Sequence, residues 1–175
     1  MANLINELTV KIGEWDSNIA SYKNEYTNAQ SEMERIDKDI SKEISDNEAP
    51  NNTVLELLKK QREREFLKMS KAQICLSKIY GELSQGVSEI DGNMSKIEKA
   101  ANGLIGMGSI SQYAKVGLSS SAVKAELQNM KTTVLQLNQL KTKLIELGYK
   151  CNLEGGDDKP KVKSIWQENN PNKKR

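Results

Sequence analysis

The chain has 175 residues, 26 Lys or Arg against 24 Asp or Glu, two Trp, five Tyr, one Phe, two Cys and no His. The missing histidine excludes imidazole acid–base catalysis, Ser–His and Cys–His nucleophile pairs, and the usual zinc and non-haem iron sites. Scarce aromatic bulk argues against a thick sheet-based core and for a thin seam between helices.

From Lys150 onward there are seven Lys or Arg against four Asp or Glu, which leaves 19 positive and 20 negative residues in the first 149. A balanced body with interspersed signs is a poor ligand for a polyanion, so nucleic-acid binding is disfavoured and only the tail is basic. The start, MANLINELTVKIGEW, lacks the charged and continuously apolar parts of a signal peptide. No stretch reaches the roughly 18 apolar residues of a membrane span. The expected location is cytoplasmic, a default that signal-independent export or a place in a virion would leave unchanged.

In chain order, the first element is a helix over about 4–45. Leu8, Ile12, Trp15, Ile19, Tyr22, Tyr26, Ala29, Met33, Ile36 and Ile40 follow at alternating steps of four and three, the a/d pattern of a heptad seam. The stretch SDNEAPNNT ends it at Pro50, and Thr53 with Glu56 reads as a capping box for a second helix over about 53–104. Its seam is expected at Phe66, Met69, Gln73, Leu76, Tyr80, Leu83, Val87, Ile90, Met94, Ile97, Ala101 and Leu104. Gly81, Gly86 and Gly92 lie off that seam and imply either a closely packed third element or a loose helix.

A third helix over about 119–147 starts at Ser119–Ser121. It carries Val123, Leu127, Met130, Val134, Leu137, Leu140, Leu144 and Leu147, with Leu135 and Ile145 widening the face and Gly148 as its stop. The fold class expected is all-α: an elongated antiparallel coiled-coil hairpin with a third packed helix, residues 1–149, and a flexible basic C-terminal tail, residues 150–175.

No motif in the chain carries chemistry. The Gly-rich stretch 102–118 matches neither a dinucleotide fingerprint nor a P-loop and reads as a hinge between helices. Residues 37–48 resemble an EF-hand loop, but Lys42 stands where the turn needs glycine, and Ile36, Ile40 and Ile44 continue the helical stripe through it. Without an activating histidine Cys75 is a packed side chain rather than a nucleophile. The residues thus point to no catalytic, cofactor-binding or metal-binding side chain and to no small-molecule substrate.

What remains is binding of protein partners. Trp15, Tyr22 and Tyr26 are bulky for a two-helix seam, Gln73 is polar within one, and Leu55, Leu57 and Leu58 stand near the hairpin tip. These seven are the candidate partner-binding residues, and Ile165 with Trp166 is the candidate docking point of the tail. The expected function is a non-enzymatic assembly or scaffold protein that binds partners or itself, as in a secretion apparatus, a virion or another large complex. The alternatives are a membrane- or host-directed secreted effector or translocator using 102–118 and the tail, and an export chaperone.

Overall fold

The computed structural model describes residues 1–106, Gly117 and 119–153. Within them the chain is all-α: α1 spans Ala2–Asp46, α2 Asn52–Gly106 and α3 Ser120–Lys150, and no described residue lies in a strand. Residues 107–116, and the tail from 154 with Ile165 and Trp166, lie outside the described residues.

The helix ends differ in detail from the sequence expectation. The N-cap of α2 is Asn51, whose Oδ1 accepts the Thr53 and Val54 N–H groups at 3.0 and 3.3 Å. The cap thus lies two residues ahead of the Thr53 expected from the capping box, since Asn51 satisfies two of the orphan donors by itself. Glu43 ties the preceding turn at both ends: its carbonyl accepts from the Asn47 side chain at 3.1 Å and its carboxylate from the Asn51 N–H at 3.0 Å. At α3 the cap is Ser119, whose Oγ accepts the Ala122 N–H at 3.1 Å. Gly117 precedes it at φ 77°, a backbone that suits glycine. Gly148 is not a stop: it is buried inside α3, because the helix gains more from packing its last turn than from ending there.

The residues segregate into two compact units. One comprises Met1–Gly13 and Glu82–Gly148; the other comprises Glu14–Gly81 and the chain from Tyr149 onward. In the first, three helical segments share a core of Leu8, Leu83, Val87, Ile90, Ile97, Val123, Leu137, Leu140, Leu144 and Leu147. Lys141 Nζ reaches Asp91 at 2.6 Å, while Leu144 lies over Gly86, so α3 runs antiparallel to α2. A Cβ added at Gly86 would stand 3.0 Å from the Leu144 Cδ1 and 3.7 Å from the Leu8 Cδ2. The off-seam glycine is the point where α3 comes close. Gly81 and Gly92 have nothing near their missing Cβ.

In the second unit α1 and α2 form an antiparallel pair. Asp37 faces Arg62 at 2.6 Å and Tyr22 faces Cys75, so the facing position on α2 rises as that on α1 falls. All ten expected seam positions of α1 are buried or half-buried across the two units. On α2 the expected Met69, Leu76 and Tyr80 are buried or half-buried, but Phe66 and Gln73 are each one residue off the buried line. Phe66 is 53% exposed and Gln73 is exposed, while Ala72 is fully buried at 0% and Ile79 at 6%. The working line is Leu58, Arg62, Glu65, Met69, Ala72, Leu76, Ile79 and Leu83, again at steps of four and three. Leu135, expected to widen the α3 face, is exposed at 59%.

These placements predict opposite responses at like residues. Leu83→Ala should cost about 2–5 kcal/mol in urea unfolding, whereas Gln73→Ala should stay within about 0.5 kcal/mol. Gly81→Ala and Gly92→Ala should each stabilise by up to about 1 kcal/mol, but Gly86→Ala should destabilise, because the fully buried Leu144 has no room to yield.

Candidate functional site

The unit of Glu14–Gly81 holds most of the sequence candidates, and its two long faces differ. On one, the end of α3 docks: Lys150 Nζ reaches Asp16 at 3.0 Å, and Cys151, only 8% exposed, lies near Lys23 and Tyr80. Burial pushes the Cys151 thiol up to about 12, opposed in part by the Lys23 ammonium. Burial likewise raises Tyr80, with Cys151 and Tyr149 adding to it. The Tyr22 hydroxyl is raised mainly by its hydrogen bond with the Cys75 thiol. A thiol held neutral by desolvation is a poor nucleophile, so this cluster anchors the last turn of α3.

The candidates divide accordingly. Trp15 is buried at 7%, and Tyr22, Tyr26, Leu55 and Leu58 are half-buried along the α1–α2 seam. Leu57 is 58% exposed and Gln73 is exposed. The structure does not gather the seven into one patch, because the first three serve α1's own seam. Three acids of the EF-hand-like segment are engaged within the chain: Asp37 with Arg62, Asp39 with Arg35 at 2.9 Å, and Glu43 with Asn51.

The residues that sequence reasoning missed lie on the outward side of α2. Leu57, Lys60, Arg64, Leu67, Lys71, Ile74 and Lys78 recur at steps of three and four and all are exposed, Leu67 and Ile74 at 65% and 69%. At about 1.5 Å per residue this second stripe is roughly 32 Å long. It carries three large apolar side chains, four cations and no acid. Lys60, Arg64, Lys71 and Lys78 pair with no acid among the described residues, whereas Arg62 and Lys68, outside the stripe, are held by Asp37 and Glu65. Phe66 stands beside it, on a shallow depression of about 380 Å³ lined also by Lys59, Lys60, Arg62 and Glu63. The overall charge balance of the body conceals this local excess.

Among the described residues no helix is long and apolar enough to cross a membrane, and no group of His, Cys, Asp or Glu could hold a metal ion. Comparison with protein-family models, curated proteins and solved structures gives no match.

The raised Cys151 value has a consequence with a definite sign. A thiol whose folded-state value exceeds its unfolded value of about 8.5 contributes stability below that pH and loses it as pH rises toward the folded value. Unfolding midpoints in urea should therefore fall between about pH 8 and pH 10 more steeply in the native chain than in Cys151→Ala. At pH 8 an alkylating reagent should modify the half-buried Cys75 before Cys151.

Proposed function

We propose that the protein is a non-enzymatic helical assembly protein, and that it binds protein through the outward stripe of α2. The observation that supports this is the spacing of the exposed residues from Leu57 to Lys78, which repeats over three heptads on a helix whose opposite side is already buried. A seven-residue repeat keeps a ridge straight along a supercoiling helix, the geometry in which another helix packs. Exposed apolar residues scattered singly are ordinary. Three of them aligned with cations and free of acids form a surface that excludes water only when covered. Leu67 and Ile74 would supply the apolar centre, and Lys60, Arg64, Lys71 and Lys78 the polar rim that sets partner choice. Placement in a secretion apparatus, a virion or another complex belongs to the same proposal and rests on the helical architecture alone.

Amine-reactive cross-linking of the full chain in native extract, followed by mapping of the linked lysines, tests it. Intermolecular links should concentrate at Lys60, Lys71 and Lys78 and fall by at least about tenfold in Leu67→Ser/Ile74→Ser, a change large enough to register loss of a central apolar contact. Links that lie elsewhere, or that persist in this variant, would contradict it.

A further inference from the structure

The side of the α1–α2 pair that receives the end of α3 is covered over only part of its length. Asp16, Lys23, Gln30, Asp37 and Ile44 recur at seven-residue intervals along that flank of α1, and Lys59, Phe66, Gln73 and Tyr80 along the matching flank of α2. Cys151 lies near Lys23 of the first series and Tyr80 of the second, which sets both series on one side of the pair. Level with Lys150 and Cys151, Ile19 is 1% exposed. Tyr26, Met33 and Ile40, at the same place in the repeat, are half-buried, as is Met69 on α2. Phe66 and Ile44 stand exposed on the rims at 53% and 55%. A groove with an apolar floor therefore runs on from the point where α3 stops.

The chain itself is aimed along this groove. Lys150 is held at Asp16 and Cys151 lies near Lys23, so the backbone heads toward the high-numbered end of α1, and residues from 154 onward continue from there. Tyr80 and Arg62, the latter in the depression that Phe66 lines, are 18 residues apart on α2, about 27 Å at about 1.5 Å per residue. Ile165 and Trp166 follow Cys151 by 14 and 15 residues and arrive there at about 2 Å per residue, well within the roughly 3.3 Å of a fully extended chain. The charges are ordered to match. Along the depression in this direction Glu63 comes first, and Lys60 and Lys59 follow. In the chain, Lys161 and Lys163 precede Trp166 and Glu168 comes after it. Entry from the opposite end would set lysine on lysine.

We propose that this groove is the docking site of the chain's own segment 161–168, with the Trp166 indole seated against Phe66 in the depression. The indole face meets the Arg62 guanidinium, which Asp37 holds in place at 2.6 Å, a cation–aromatic contact. Lys163 meets Glu63, and Glu168 meets Lys59. Burial of the large aromatic supplies the strength; exposed ion pairs add little each and select the direction. A link of this length keeps the indole at an effective concentration of about a millimolar, above that of any second copy at micromolar concentration, so a chain fills its own groove before another's. Leu67 and Ile74 lie about 100° farther round α2 than Phe66 and Gln73, so docking leaves the apolar centre of the outward stripe open.

Disulfide trapping in the full chain tests this. In a Cys75→Ser background, where Cys151 is buried, Glu63→Cys/Gln167→Cys should close an intramolecular bond under mild oxidation at least about tenfold faster than Glu32→Cys/Gln167→Cys. Glu32 is exposed at a similar level on the opposite flank of the pair. The rate should be independent of protein concentration, and Trp166→Ser or Phe66→Ser should each slow it to that of the control pair. Glu63, Glu32 and Phe66 are exposed, so all variants should keep native helicity by circular dichroism. Equal rates in the two pairs, or a rate that Trp166→Ser leaves unchanged, overturns the proposal. A bond that forms only between chains, in proportion to their concentration, makes a second copy the source of the segment and overturns it as well. None of these results alters the intermolecular links expected at Lys71 and Lys78, which report on the outward stripe alone.

Discussion

Burial of one line of α2, set by side chains at alternating steps of three and four, is the constraint from which the rest of this structure follows. A helix that keeps Met69, Ala72, Leu76, Ile79 and Leu83 turned inward has no freedom left to choose what it turns outward. The exposed stripe from Leu57 to Lys78 exists because the buried one does. The same constraint fixes the face of α1: with Ile19, Ala29 and Ile36 almost wholly buried, Glu25, Glu32 and Asp39 must line its flank. Stability and interaction surface are two sides of one periodicity.

The three-helix unit obeys the same logic with a tighter tolerance. Gly86 admits the Leu144 methyl at a distance where a Cβ would crowd it, so the contact between α2 and α3 depends on the absence of a side chain as much as on the leucines of α3. Helical glycine carries a propensity cost of up to about 1 kcal/mol. Here close packing around a fully buried leucine offsets it. At Gly81 and Gly92, where the space is open, no such offset exists.

Much of the fold was legible because apolar side chains at heptad spacing mark a buried helical face and little else. The ten positions on α1 and the eight on α3 turned out buried or half-buried. On α2 the seam was misplaced by one residue at Phe66 and Gln73, and the cause is specific. Phe66 weighs heavily in any hydrophobic pattern, whereas Ala72 weighs little and Glu65 nothing, yet the Glu65 side chain is only 17% exposed and Ala72 is wholly inside. Aliphatic stems of charged residues bury well while their tips reach water, and a pattern of residue types does not record that. The role of Gly86 was illegible for another reason: its contact is made by Leu144 on a separate helix. The outward stripe was hidden by its chemistry, since cations at a and d positions do not register as a seam. Its cue was a seven-residue recurrence, Leu57, Arg64, Lys71 and Lys78, that becomes meaningful once the buried line is known.

The central claim is that α2 bears two parallel stripes, one inside and one outside, and labelling kinetics address it directly. Single cysteines placed in turn along 57–79 of a Cys75→Ser chain, in high salt to screen exposed charge pairs, give a reactivity at each position. The account requires fast labelling at 57, 60, 64, 67, 71, 74 and 78 and protection at 69, 72, 76 and 79. Equal reactivity in the two sets, or protection centred on 66 and 73, would contradict it.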